Sequence, residues 1–373
     1  MTTTLEATSP GFIGRIPVRN IWLLLLYASQ LYQELPGSRR VELEDAPDDI
    51  PELVAEILTS AVARRMRRNL NTDYQRRQHD LNRVRGRINL LRTERRQLLQ
   101  RARVACIFDE LTVDTPRNRY VKGALLRLAS VIRADLASRC RNLAAQLERA
   151  GVQTEIDSNR LRHSLAMDYL GWTDTEERQM LAAAQLAIDL AIPTEESGFS
   201  LLPLVNRPET RGWELYERAV AGFYDAVLSP NGWRVTAQSP ATWQLADSTP
   251  GLRELMPGMV RDVVLERAGR RIVIDTKFTS IIVTGQQGKE TFKSGSIYQI
   301  YAYLRSQEND DDSLSLNSAG ILLYPAICVD YHETAIIQGH QIHFATVNLA
   351  ADSRNIRKQL LRILNDGLPH SLS

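Results

Sequence analysis

The sequence predicts an α+β protein in two parts: an N-terminal mixed α/β domain with a helical bundle, residues 1–197, and a C-terminal domain, residues 198–373, with a mixed sheet flanked by helices. Three observations carry that expectation. Leu125, Leu128, Ile132 and Leu136 recur at helical spacing in the first part. From Gly198 to Pro208 periodicity lapses, and Pro203 and Pro208 interrupt any regular element, which marks a linker. Beyond it, short apolar runs and helical segments follow one another in an α-β-β-β-α-β order.

Composition bounds the class before any motif does. At 373 residues the chain is long enough for two cores. Its 43% hydrophobic and 24% charged residues are ordinary for a globular protein, and a formal net charge of +2 is too small to mark nucleic-acid binding by itself. The distribution says more: arginines crowd Arg64 to Arg103, where the only acids are Asp73, Asp80 and Glu94, whereas Glu42 to Glu56 is acidic. Such a pairing suits a partner or phosphate-backbone surface, and a solvated helix face suits it as well. Cys106, Cys140 and Cys328 are odd in number and far apart, which argues against a disulfide framework and for a reducing compartment. His340 and His343 are close but lack the further ligands of a zinc site. The apolar run Trp22 to Ala28, preceded by Arg15 and Arg19, imitates a signal peptide but is too short to span a bilayer and has no cleavage site after it. It reads as a buried helix of a cytoplasmic protein.

Taken in order, Met1 to Pro10 is polar and loose. Ile21 to Leu35 is apolar nearly all round, hence an interior helix. Asp45 to Pro51 is an acidic loop, and Pro51 opens a helix to about Arg68. Val84 to Ile88 looks like a strand bent at Gly86, and Arg92 to Arg103 fits a helix or a long hairpin. Thr115-Pro116 caps and opens a helix running to about Ala150, where Gly151 stops it. Thr173 with Glu176 forms a capping box for a helix that ends before Pro193. After the linker come a helix over Trp213 to Leu228, a strand over Trp233 to Gln238, a hairpin over Met259 to Phe278, a helix over Ser296 to Arg305, strands at Ile321 to Tyr324 and His343 to Val347, and a closing helix over Asp352 to Asn365.

The hairpin holds the chemistry. Val263 to Leu265 and Ile272 to Ile274 flank the turn-forming Ala268-Gly269, and aspartates stand where a buried apolar strand should not have them, Asp262 and Asp275. Side chains alternate along a strand, so Asp275 and Lys277 share a face while Thr276 points to the other, and a hairpin can bring Asp262 beside them. Two carboxylates and an ammonium on one sheet edge suit Mg²⁺ or Mn²⁺, which lowers the pKa of a bound water, with Lys277 orienting or deprotonating that water and steadying the developing negative charge. The D…D-x-K arrangement resembles the core of PD-(D/E)XK nucleases; a solvated ion pair gives the same pattern. Gln299 and Tyr303, four apart, share a helix face after that strand, as in the Q-x-x-x-Y of the RecB-like branch of those nucleases. Glu217 stands where the superfamily often places an additional acid on the first helix. Lys289, Lys293 and Arg305 lie near the same helix and could meet phosphates. There is no G-x-x-x-x-G-K-[ST], so the chain does not bind nucleotide by a P-loop, and no Ser-His-Asp or Cys-His pattern stands out.

Nearly end to end, the chain resembles the McrC family, the nuclease subunits of modification-dependent McrBC restriction systems. The resemblance rests on Ile16-Pro17-Val18-Arg19-Asn20-Ile21 with Leu26-Tyr27-Ala28, Gly86-Arg87-Ile88, Phe108-Asp109-Glu110-Leu111 with Asp114-Thr115 and Asn118-Arg119, Met259 and Asp262, Asp275-Thr276-Lys277, Tyr298-Gln299 with Tyr303, Leu323-Tyr324-Pro325, and Thr346-Val347-Asn348-Leu349. It implies a C-terminal PD-(D/E)XK endonuclease domain in which Asp262, Asp275 and Lys277 cut double-stranded DNA with Mg²⁺, with Mn²⁺ as a substitute. It implies that the N-terminal half docks into a hexameric AAA+ GTPase ring, McrB, which binds the GTP, and stimulates GTP hydrolysis. Recognition of 5-methylcytosine-type bases then belongs to the partner. Self-association bridging two complexes and no membrane contact complete the picture. Arg261 departs from the small polar residue of many relatives, with little effect expected. Two alternatives remain open: a non-catalytic adaptor with a degenerate nuclease fold, and a RecB-like nuclease acting alone.

Overall fold

The computed structural model describes residues 15–154, 175–196, 202–203, 209–245, 247–249, 251–284, 288–326 and 330–366. The chain divides into two compact units, one formed by Met1–Ile50 with Ile192–Ser373, the other by Pro51–Ala191. This differs from a single break between residues 197 and 198, because the first 50 residues fold with the C-terminal sheet. The cause is long range. Asn20, fully buried, donates from Nδ2 to Leu349 O and Ala351 O at 2.7 and 2.9 Å, and strand β1 (Arg15–Ile16) pairs with a strand at Leu202–Pro203.

The expected helix over Ile21 to Leu35 is two, α1 (Val18–Tyr27) and α2 (Gln30–Glu34), because Ser29 turns extended and its side chain caps the second by accepting from Tyr32 N. The apolar run resembling a signal peptide is core: Leu23, Leu26 and Tyr27 are buried, and no helix among the described residues is long and apolar enough to cross a membrane. Helix α3 (Gly37–Asp45) follows, carrying a buried Glu44.

Unit Pro51–Ala191 begins with α4 (Ile50–Arg68), as Pro51 in its first turn predicts. The arginine-rich stretch is β2 (Asp73–Leu81), mostly exposed, and β3 (Arg87–Ile88); helix α5 (Leu90–Arg95) and β4 (Val104–Thr112) follow, and both strands pair antiparallel with β4. Gly86 takes φ +69°, and a Cβ there would lie 2.4 Å from Ile107 O, so the bend accepts no other residue without a shift. The long helix expected from Pro116 is broken into α6 (Pro116–Leu128) and α7 (Ala134–Arg149), with Ser130 Oγ turned back onto Arg127 O at the break. Helix α8 (Thr175–Glu196) carries Glu177, which binds Arg117 at 3.1 Å. Cys106 and Cys140 are free and buried, while Cys328 lies outside the described residues, as does Thr173.

In the other unit, β5 (Leu202–Pro203) is the described part of the expected linker. Then come α9 (Glu209–Leu228), β6 (Arg234–Ala241), β7 (Met259–Arg267), β8 (Arg270–Thr276), β9 (Ile282–Thr284), β10 (Glu290–Phe292), α10 (Ser294–Arg305), β11 (Ala319–Ala326), β12 (His332–Ile337), β13 (His340–Asn348) and α11 (Ser353–Asp366). Six strands form a mixed sheet in the order β12-β13-β11-β8-β7-β6, with β8, β11 and β13 parallel and the rest antiparallel. β11, buried along its whole length, is the centre strand a parallel crossover demands. Ile300 and Leu304 of α10 pack on Val273, Leu322, Ile342 and Phe344 of that sheet. A Cβ at Gly222 would meet Tyr27 O at 2.0 Å, so α9 and α1 approach as closely as they do only because that residue is glycine. The histidines of β13 are core groups: His340 sits between Glu308 at 2.6 Å and Ser318 O at 2.8 Å, and His343 meets Thr334.

Candidate active site

β7 and β8 are joined by the two-residue turn that Ala268-Gly269 announces, both at positive φ. Their ladder runs from Arg267↔Arg270 to Val263↔Ile274, and Asp262 and Asp275 come next in that register. On the other flank β6 pairs through Ala237↔Val263 and again through Ser239↔Arg261, so regular pairing skips Gln238, at φ +48°, and Asp262. Toward β8 the Asp262 side chain continues the contact where the ladder ends. Asp262 Oδ2 accepts from Thr276 N at 2.7 Å and from Thr276 Oγ1 at 2.8 Å. Burial raises its pKa, and the Thr276 hydrogen bonds and Lys277 hold it down. Sequence alternation assigned Thr276 away from the cluster; its hydroxyl and amide are instead what anchor Asp262.

Asp275 is completely buried. Lys277 Nζ donates to its Oδ1 at 2.9 Å and lies 2.7 Å from Oδ2, where it is not aligned for a second hydrogen bond. The ammonium also donates to Gln299 Oε1 at 2.9 Å, and Gln299 Nε2 donates to the Tyr303 hydroxyl at 2.7 Å. The sequence-derived set Asp275, Lys277, Gln299 and Tyr303 is thus one continuous polar chain across β8 and α10. Lys277 N donates to Leu323 O at 2.9 Å, which fixes the backbone beside β11. Burial pushes the Asp275 carboxyl up to about 7, against the pull of Lys277 and with the push of Asp262.

Glu217 comes from α9, which packs on β6, β7 and β8 and whose Trp213 Nε1 donates to Thr276 O at 3.4 Å. Glu217 is buried, its Oε1 has no hydrogen-bond partner, and burial followed by the charges of Asp262 and Asp275 lifts its pKa to about 7. Three carboxylates thus crowd one ammonium, an arrangement costly to a fold that gains nothing from it.

Among the described residues no three acidic, histidine or cysteine side chains are arranged as a ready cage for a metal ion. The donor set nonetheless fits a hard divalent cation: two buried carboxylates, an orphaned Glu217 oxygen, and an Asp275 whose partner is itself a cation. The other basic candidates differ. Arg305 is tied to Glu308 at 2.5 Å, whereas Lys289 and Lys293 are exposed. Sequence reasoning missed Thr276, and also Tyr324, buried two residues along β11 from the partner of Asp275 and hydrogen-bonded to Ser296 of α10. A hydroxyl residue between Asp275 and Lys277 was the available signal for the first.

Comparison with known proteins agrees with the resemblance. A family model described as a McrBC 5-methylcytosine restriction system component matches residues 10–169. The type IV methyl-directed restriction enzyme EcoKMcrBC of Escherichia coli (strain K12) is 26% identical over 361 residues, covering 95% of this chain and 98% of the relative. Among solved structures, a half-complex from a tetradecameric assembly of Thermococcus gammatolerans McrB AAA+ hexamers with bound McrC aligns at 12% identity and TM-score 0.41, covering 93% of this chain and 79% of that one. The McrBC complex of the same organism aligns at 16% identity and TM-score 0.34 over 58% of each chain.

Proposed function

We propose that this chain is a member of the McrC family and, on that premise, the DNA endonuclease subunit of a GTP-dependent restriction system directed at modified, 5-methylcytosine-type DNA. Its C-terminal unit is read as a PD-(D/E)XK nuclease and its partner as a McrB-like AAA+ GTPase hexamer, which holds the GTP. The observation that carries the reading is the linked set Asp275, Lys277, Gln299 and Tyr303 with Asp262 and Glu217 electrostatically coupled to it. A structural ion pair satisfies its acids; here Glu217 Oε1 has no hydrogen-bond partner, and Asp275 Oδ2 has only the ion pair with Lys277.

Asp262 and Asp275 would hold Mg²⁺, or Mn²⁺, with Glu217 beside them. The ion, when bound, neutralises phosphate charge and lowers the pKa of water. The protein's own part is to orient. Thr276 fixes Asp262 through backbone and hydroxyl. Gln299, itself held by Tyr303, would fix Lys277 so that its ammonium stays at the reacting edge and steadies the charge developing on the phosphate oxygens. Cation binding requires Asp275 and Glu217 ionised, so it takes over the compensation that Lys277 alone gives Asp275.

The test is plasmid cleavage by the full chain with its partner, GTP and Mg²⁺, compared with Asp275→Ala and Lys277→Ala. Loss of cutting with GTPase stimulation retained is the expected result; undiminished cutting by Asp275→Ala removes the proposal. The adaptor reading draws on the missing three-ligand cage among the described residues; an unmutated protein that stimulates the partner and never cuts would establish it. Degradation of linear DNA without partner would favour a nuclease acting alone.

A further inference from the structure

The same unit holds a cavity of about 280 Å³ between β6, β7 and the segment after α10, lined among others by Ser239, Arg261, Glu266, Arg271, Gln307 and Asp312. Its two arginines are not alike. Arg271 is neutralised, with Nε 2.7 Å from Glu266 Oε1 and Nη1 2.7 Å from Asp312 Oδ2. Arg261 donates from Nη2 to a neutral hydroxyl, Ser239 Oγ, at 2.9 Å, and its buried Nε has no hydrogen-bond partner. Burial and the like charge of Arg271 both work against this cation, and Glu266, already engaged by Arg271, offsets them only in part. A guanidinium has five donors in a planar fork that matches an oxyanion, and here one is given to a hydroxyl, the buried Nε has no partner, and no described hydrogen bond or ion pair gives any of them to an acid.

The position gives the anion its identity. Arg261 precedes Asp262, so their Cα atoms are about 3.8 Å apart. Gln307, four residues on from Tyr303 and just past the end of α10, is also in the cavity wall. The cavity and the catalytic edge therefore share strand β7, and the cavity also takes in the segment that follows α10. We propose that this cavity receives a phosphodiester group of the bound DNA strand, neighbouring the one presented at the catalytic edge, with Arg261 as its anion-binding side chain. The proposal rests on the nuclease reading above and gives that site a register along the strand. Arg261 acts on every sequence alike, because phosphate carries no base identity.

The experiment is duplex binding by the full-length chain, followed by fluorescence anisotropy in chelator across a salt series, for wild type, Arg261→Ser, Arg261→Lys and, as a surface-charge control, Arg270→Ser. Loss of one phosphate contact lowers the slope of log affinity against log salt by about 0.9. Arg261→Ser should show that drop and several-fold weaker binding at low salt, with its melting temperature retained. Arg261→Lys should keep the slope, and Arg270→Ser should change neither. A wild-type slope in a folded Arg261→Ser protein overturns the proposal, as does the absence of duplex binding by the unmutated chain. Inorganic phosphate is the second probe: if it stabilises wild type but not Arg261→Ser while the DNA slopes agree, the cavity takes free phosphate and the DNA assignment falls. Cutting by Asp275→Ala at the wild-type rate would instead sink the nuclease reading and leave the slope result standing, so the two fail separately.

Discussion

Two clusters of buried acid in the same unit differ in what surrounds them. Glu44 is 2% exposed, and both its oxygens are used: Arg357 Nη1 donates to them at 2.8 and 2.7 Å, and the Tyr32 hydroxyl adds a further bond. Glu217 and Asp275 are 4% and 0% exposed, yet each keeps an oxygen without a hydrogen bond, and both are pushed to about 7. Depth of burial is the same in the two places; satisfaction is not. A carboxylate buried and fully paired joins α2, α3 and α11, and serves as scaffold. Buried acids that share a single ammonium and keep an oxygen without a hydrogen bond are held for something that arrives later.

The contrast breaks most visibly in activity. Asp275→Ala or Lys277→Ala should lower DNA cleavage by about 10²–10³-fold or more, whereas Glu44→Ala should leave the rate per folded molecule near wild type; equal losses in the two clusters would erase the distinction. Stability should reverse the order. Removing Glu44 strands Arg357 and Tyr32, and denaturant titration should register a loss of about 3 kcal/mol. Asp275→Asn should instead stabilise the cation-free protein at pH 8 by on the order of 1 kcal/mol, because it discards a desolvated charge at the cost of a partner for Lys277; a destabilised variant would mean that the pair with Lys277 outweighs desolvation. The contrast also shows in pH. Asp275 and Glu217 rise from 3.8 and 4.5 to about 7 on folding. The folded chain therefore holds protons the unfolded chain has released, and cation-free stability falls as pH rises from about 4 to about 7, then levels off. Melting temperatures across that range check the sign, and adding Mg²⁺ at pH 8 should recover part of the loss.

Much of the site was readable because its signals are local. A turn with two residues at positive φ, apolar runs on both sides and acids in the wrong place define the β7–β8 hairpin within about twenty residues, and helical spacing ties Gln299 to Tyr303. What escaped depends on partners far along the chain or on weak patterns. β12 has exposed and half-buried residues because it is an edge strand, and an edge need bury little. β2 is exposed over most of its length, so no apolar alternation betrays it. The breaks at Ser29 and Ser130 leave helical periodicity intact on either side while the backbone turns between. Thr276 was assigned by strict alternation along β8, which takes no account of the Asp262 side chain reaching across from β7 to its amide and hydroxyl. Arg261, expected to matter little, is legible only once its guanidinium, hydrogen-bonded to a hydroxyl and to no acid, is seen in a cavity.

The discontinuous unit has a consequence for how the polypeptide is made. Residues 51–191 are contiguous and can pack as soon as they leave the ribosome, but α1 must wait until Leu349 and Ala351 have been synthesised before Asn20 finds its acceptors. During that interval Leu23, Leu26 and Tyr27 form an apolar segment without its final neighbours, a ready client for a chaperone on the nascent chain. A fragment starting after the linker would be born without α1, α2 and α3 and should be recovered largely as aggregate.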